Sequence, residues 1–89
     1  MEQFTFEFED LKGNFQLFID EKKVGEITFK YQKENVISIN HTLVEKEYQG
    51  RGYGKKLVEK VMEYAQQNEL NLTASCWFAD KLIQAHYNG

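Results

Sequence analysis

Gly50, Gly52 and Gly54 alternate with Arg51 and Tyr53 and run directly into Lys55 and Lys56, between a stretch that alternates like a strand and one that repeats like a helix. Glycine reaches backbone angles closed to other residues and lets a ligand approach the main chain closely. A helix that starts here offers its first, unpaired N–H groups and the positive end of its dipole, which favours phosphate by about 0.3–1 kcal/mol for each well-placed charge. Arg51, Lys55 and Lys56 concentrate positive charge at this point in a chain whose formal net charge is -3. The pattern reads as an anion cradle, against the plainer alternative of a flexible connection with solvated basic residues. It is not a dinucleotide-binding βαβ turn, because the glycines recur at every second position and no acidic residue ends a following strand about twenty positions on. It is not a P-loop either, because Lys55 is followed by Lys56 and not by Ser or Thr.

Two other residues carry reactive chemistry. His41 is able to take a proton from an amine or thiol near neutral pH. Cys76, the single cysteine, becomes a nucleophile when a base or positive charge lowers its reference pKa of about 8.5. Each has a structural alternative: cysteine is among the most buried residue types, and His41 shares strand parity with Ile37, Ile39 and Leu43, as a core histidine would. Tyr87 is a candidate acid for reprotonating a leaving group, with packing as its plainer role. Trp77 and Phe78 read as cover for the edge of the core or as an aromatic wall for a ligand.

The elements that must position these residues follow from periodicity. Phe4, Phe6 and Phe8 alternate with Thr5, Glu7 and Glu9 and place three aromatics on one face of a first strand, read as core. After a turn at Asp10 to Asn14, Phe15, Leu17 and Ile19 alternate with Gln16 and Asp20; after a second turn at Asp20 to Lys23, Ile27, Phe29 and Tyr31 alternate with Glu26, Thr28 and Lys30. Val36 to Val44 forms a fourth strand. From Gly54 the period changes, with Leu57, Val58, Val61, Met62 and Ala65 at helical spacing, giving a helix of about Arg51 to Asn68 that ends at Asn68. Leu70, Leu72, Ala74 and Cys76 then alternate as a fifth strand, and Leu82, Ile83 and His86 suggest a short helix from about Ala79 to Tyr87. This α+β layout is an antiparallel meander whose fourth and fifth strands pair in parallel through a right-handed helical crossover.

Composition bounds the function. The 89 residues suit a single domain spanning 1–89, and 42% hydrophobic with 15% aromatic residues suffice for a packed core. An acidic pI of about 5.3 excludes a general nucleic-acid binder, which needs many clustered Lys and Arg. The lone cysteine cannot close an internal disulfide, no set of Cys, His and acidic residues has zinc-ligand spacing, and no apolar run approaches the roughly 18 residues that cross a bilayer. The expectation is a cytoplasmic protein with no metal, no membrane segment and no signal peptide.

The stretch Leu43-Val44-Glu45-Lys46-Glu47-Tyr48-Gln49-Gly50-Arg51-Gly52-Tyr53-Gly54-Lys55-Lys56-Leu57-Val58 resembles the acetyl-coenzyme-A signature of the GNAT N-acetyltransferase superfamily, a Gln or Arg, two residues, Gly, one residue, then Gly or Ala. The likeness covers about Val36 to Asn68. His41-Thr42 before it and Cys76-Trp77-Phe78 after it resemble the short GNAT-like subfamily of predicted acetyltransferases, which keeps the central sheet and lacks the N-terminal helix pair. The resemblance implies a minimal GNAT-like fold with the fourth and fifth strands splayed around a slot for the thioester. It implies acetyl-CoA as cofactor, with Gly50, Arg51, Gly52, Gly54 and Lys55 holding the pyrophosphate, Gln49 opening the motif, and Leu43 and Val44 pairing with the pantetheine arm. The implied activity is acetyl transfer to an amine on a small molecule or protein, either directly with His41 as base or through acyl-Cys76. Two alternatives stand beside it: a non-catalytic acyl-CoA-binding module, and a partner-binding domain that has lost the cofactor. The sequence departs from the larger family in lacking a mid-strand Glu as base and in lacking the helices that shape the acceptor pocket.

Overall fold

The computed structural model describes residues 1–74. Within them β1 (Glu2–Glu9), β2 (Lys12–Ile19), β3 (Lys22–Lys33) and β4 (Val36–Val44) form an antiparallel meander, followed by a 3₁₀ turn (Lys46–Tyr48), helix α1 (Tyr53–Gln67) and β5 (Asn71–Ala74). The strands lie in sequence order in one sheet, and β5 pairs in parallel with β4 from Val36/Asn71 to Ile39/Ala74. The fold is therefore α+β, with α1 as the crossover between the two parallel strands.

The first two hairpins turn more tightly than their composition suggests. Asp10 and Leu11 (φ 52° and 63°) and Asp20 and Glu21 (φ 49° and 72°) are consecutive positive-φ pairs, the signature of a type I′ turn that usually contains Asn or Gly. Lys12, Gly13 and Asn14, expected in a turn, instead belong to β2. Gly13 sits inside the strand because the ring of Phe29, on the neighbouring strand, fills the volume a Cβ would occupy.

One face of the sheet carries α1. Leu57, Val58, Val61 and Ala65 pack on Leu17, Val24, Ile27, Phe29, Ile37 and Ile39, all buried. Phe6 and Phe8 only fringe this core, at 43% and 47% exposed, because β1 is an edge strand that α1 reaches only with long side chains such as Tyr64, Lys56 and Lys60. Phe6 packs on Phe15 and Tyr64 at 4.7 and 5.4 Å between ring centroids, and Phe8 meets Tyr31 edge-on at 5.9 Å. Here burial is weaker than the alternation implied.

The helix ends where Asn68 predicts. Leu70 N–H bonds to Ala65 C=O (2.8 Å) and Glu69 N–H to Gln66 C=O (3.3 Å), a Schellman closure in which Glu69 (φ 55°) takes the left-handed position usually given to glycine. The Asn68 side chain donates to Tyr64 C=O at 2.8 Å. Asn71 N–H then bonds to Asn35 C=O at 2.8 Å, setting β5 against the start of β4.

Candidate functional site

The start of α1 lies two residues later than the sequence suggested. Gly50 and Gly52 have φ of 81° and 83°, so the chain makes a left-handed turn before the helix, with Gly52 at its N-cap. A Cβ built on either glycine would meet nothing within 4 Å, so conformation and not crowding requires glycine there. No side chain caps the helix, its first turn holds no acidic residue, and the first intrahelical bond is Lys56 N–H to Gly52 C=O at 3.1 Å. The N–H groups of Tyr53, Gly54 and Lys55 precede that bond and so have no partner in the helix ladder. A helix start normally carries Ser, Thr or Asp at its cap and acids in its first turn. This one has glycine and two lysines.

The turn is fixed to the sheet. Gln49 donates from Nε2 to Val44 C=O at 3.0 Å, tying the motif's first residue to the end of β4. Glu45 N–H bonds to Val24 C=O and Tyr48 N–H to Glu45 C=O, both at 2.8 Å. The Arg51 guanidinium lies 5.4 Å from the centre of the Tyr48 ring, which also neighbours Tyr53 at 6.3 Å. Between the end of β4 and the start of α1 opens a cleft of about 570 Å³ lined by Thr42, Val44, Tyr48, Gln49, Gly50, Gly52, Tyr53, Gly54 and Lys55. Gln49, Gly50, Gly52, Gly54, Lys55 and Val44, singled out from the sequence, thus meet at one place. Thr42, Tyr48 and Tyr53 were missed; the aromatics flanking the glycines were the available signal.

The two lysines diverge. Lys55 lines the cleft, whereas Lys56 reaches Glu2 of β1 at 2.7 Å and lies 5.4 Å from the Tyr53 ring centre. The hydrogen bond to Glu2 raises the Lys56 pKa, so it stays charged and engaged.

His41 does not share the face of Ile37 and Ile39. Phe29 pairs with Ile39 but Thr28 pairs with His41, leaving Asn40 as an extra residue in β4. This bulge reverses the alternation. Thr42 and Val44 take the helix side, opposite Ile27 and Gly25, and His41 and Leu43 turn to the other face, where both are exposed. The core-histidine reading of His41 is therefore overturned, and Leu43 faces away from the cleft and is not among the residues that line it. Cys76, Trp77, Phe78, Tyr87, the short last helix and the splay beyond Ala74 lie outside the described residues. Among the described residues no group of three or more His, Cys, Asp or Glu is arranged to hold a metal, and no helix is long and apolar enough to cross a membrane.

The sequence model described as GCN5-related N-acetyl-transferase matches residues 14–88. The chain belongs to this family. A GCN5-like protein of Staphylococcus aureus solved by NMR is 33% identical, with 94% of this chain and 81% of that one covered at a TM-score of 0.69. The PaiA N-acetyltransferase of Thermoplasma acidophilum, solved in complex with coenzyme A, shares the fold at 19% identity and a TM-score of 0.61, covering 64% of this chain and 35% of that one. Protein NATD1 of Bos taurus is 24% identical over 58 residues, 65% of this chain and 51% of NATD1. The chain spans about half the length of the curated relatives it matches. GCN5-related acetyltransferases use acyl-CoA, which fits a cradle at the first turn of α1.

Proposed function

We propose that residues 1–89 form one domain that binds acetyl-CoA in the cleft between β4 and α1 and transfers its acetyl group to an amine. The observation that carries this reading is the uncapped, basic start of α1, where two positive-φ glycines leave open space beside unladdered N–H groups. These features fit a diphosphate: the amides of Tyr53, Gly54 and Lys55 donate to its oxygens, and the Lys55 ammonium offsets its charge. The apolar walls of the cleft, Val44 with the Tyr48 and Tyr53 rings, suit the cofactor's arm. The last residues of β4 lie where a strand-like pantetheine would run, which is the role proposed for Leu43 and Val44.

An acetyl thioester supplies an activated acyl carbon; the chain must position it, take a proton from the attacking amine and accommodate the thiolate that leaves. His41 faces the side of the sheet opposite the cleft, one residue along β4 from Thr42. In this reading it deprotonates an amine that approaches from the face away from α1, with cofactor and acceptor entering from opposite sides. Cys76 remains the candidate for an acyl-enzyme relay.

Titrating the ¹⁵N-labelled chain with acetyl-CoA tests the binding claim: the amides of residues 43–56 shift, and unchanged spectra reject it. Intact mass after incubation with acetyl-CoA tests the relay through an acetyl adduct lost in Cys76→Ala. Tight binding with no thiol release across a panel of amines would favour a sensing module over an enzyme.

A further inference from the structure

β1 ends the sheet, and among the described residues only β2 pairs with it. Met1 C=O accepts from Asp20 N–H at 3.3 Å, which makes Met1 and Asp20 a hydrogen-bonded pair at the open end of the register that runs to Glu9 and Lys12. Antiparallel pairs alternate, so Gln3, Thr5, Glu7 and Glu9 bond to β2, whereas the N–H and C=O groups of Glu2, Phe4, Phe6 and Phe8 point outward. A row of unpaired main-chain groups is a template for another strand, and natural sheets blunt it with Pro, Lys or a bulge. β1 has no Pro, no Lys and an unbroken register. It also holds the rings that α1 leaves bare: Phe6 and Phe8 are 43% and 47% exposed.

The strand complements itself. With a second copy of the chain laid antiparallel and the two-fold axis at Phe6, Phe6 faces the partner's Phe6 and Phe4 faces the partner's Phe8, each pair exchanging N–H···O=C bonds through the outward groups. The aromatic row then continues across the junction on one face of the sheet. On the other face Glu7 meets the partner's Thr5 and Glu9 the partner's Gln3, so each of these carboxylates faces a hydrogen-bond donor. A shift of the pairing by two residues sets Phe8 against the partner's Glu2 in one direction and Glu7 against the partner's Glu7 in the other; a shift by one turns the rings to opposite faces. Beside Phe4 a groove of about 570 Å³ opens between β1 and α1, with Lys60 and Met62 in its wall and Lys60 Nζ 4.8 Å from the centre of the Phe4 ring. The partner's Phe8, opposite Phe4 and on the same face, projects into this groove.

We propose that β1 is the interface of a reversible homodimer in which two sheets join edge to edge through residues 3–9. The helices do not collide, because α1 packs on core residues of β2, β3 and β4 and leaves β1 to its long side chains. The cofactor cleft stays open in both copies, since no residue of β1 lines it, and the dimer is thus independent of the acetyl-transfer reading. One strand from each copy makes a small contact, at the transient end of protein interfaces, so the dimer forms and dissociates with concentration.

Sedimentation of the full chain across micromolar to millimolar concentrations tests the dimer, and amide hydrogen exchange tests its location. The chain shifts from monomer to dimer, and at the dimeric end the amides of Phe4, Phe6 and Phe8 exchange at least about tenfold more slowly than at the monomeric end. Phe6→Lys, which sets two ammonium groups face to face on the axis, raises the dissociation constant at least about tenfold while circular dichroism shows the fold intact. The register is tested in a Cys76→Ala background. Phe6→Cys closes a disulfide across the axis on mild oxidation, because hydrogen-bonded partners lie about 5.5 Å apart between Cα atoms, within disulfide range. Phe4→Cys does not, since its counterpart on the partner is displaced by four residues, roughly 13 Å along the strand. A chain that sediments as a monomer throughout, a dimer whose Phe4, Phe6 and Phe8 amides exchange freely, or a Phe4→Cys chain that cross-links as readily as Phe6→Cys overturns the proposal.

Discussion

Substitution of Gly52 isolates the cofactor claim from the stability of the fold. At φ 83° an L-residue pays about 1–2 kcal/mol for the left-handed conformation, and no steric charge is added because a Cβ there meets nothing within 4 Å. Gly52→Ala is therefore expected to lower Tm by about 4–8 °C for each kcal/mol, the sensitivity of a domain of this size. Gly52→Asn costs less, since Asn tolerates this region through local hydrogen bonds. Both side chains project into the open space beside the start of α1. If a phosphate sits on the amides there, displacing it from one charge-assisted bond removes about 1.5–3 kcal/mol, about 10- to 100-fold in affinity. The decisive variant is Gly52→Asn, whose fold survives while calorimetry records that loss of acetyl-CoA affinity. A well-folded Gly52→Asn chain that binds acetyl-CoA as tightly as the parent refutes the cradle.

Further outcomes follow from the same geometry. Lys55→Ala weakens acetyl-CoA binding several-fold and flattens its salt dependence, while Lys56→Ala, which loses its pair with Glu2 and its contact with the Tyr53 ring outside the cleft lining, leaves binding within about twofold by calorimetry. His41→Ala lowers kcat about 10²-fold or more in a thiol-release assay, as loss of a general base does, without changing acetyl-CoA affinity; an unchanged kcat discards His41 as the base. Leu57→Ala, at a fully buried position against the sheet, costs about 2–5 kcal/mol in urea denaturation. Burial and the hydrogen bond with Tyr31 (3.0 Å) raise Tyr64 to about 12. The folded state thus favours the neutral phenol: the stabilisation is present below pH 10, is lost as pH rises from about 10 to about 12, and is absent in Tyr64→Phe, which urea midpoints across that range will show.

The meander, the helix and the anion turn were legible because each rests on local pattern. Leu57, Val58, Val61 and Ala65 recur at helical spacing and are the residues α1 buries, and Asn68 ends the helix as its side-chain chemistry predicts. What escaped the sequence depends on partners distant in the chain. Nothing near Asn40 announces a bulge; it arises because Ile39 must meet Phe29 while Val44 must meet Gly25, and five residues on β4 then face four on β3 after the Ile39 position. The tight hairpins at Asp10-Leu11 and Asp20-Glu21 lack the Asn-Gly signal, so their positive φ values are imposed by the pairing of the flanking strands. Phe6 and Phe8 alternate as perfectly as Ile27 and Phe29, yet only position within the sheet decides that β1 lies at the edge and β3 in the middle.

The bulge also explains how one strand gives side chains to the cleft and to the opposite face of the sheet. With unbroken alternation, the parity that buries Ile37 and Ile39 would carry His41 and Leu43 onto the helix face and turn Thr42 and Val44 away from it. An exposed imidazole on one face and an apolar cleft wall on the other would then be incompatible with the core of the same strand. One extra residue at Asn40 reconciles them: the first half of β4 keeps its branched side chains under α1, and the second half gives Thr42 and Val44 to the cleft and His41 to the opposite face. Glu47 and Glu2 are engaged by Lys22 at 3.8 Å and Lys56 at 2.7 Å, while Arg51 beside Tyr48, Lys55 and the first amides of α1 give the cleft its positive character.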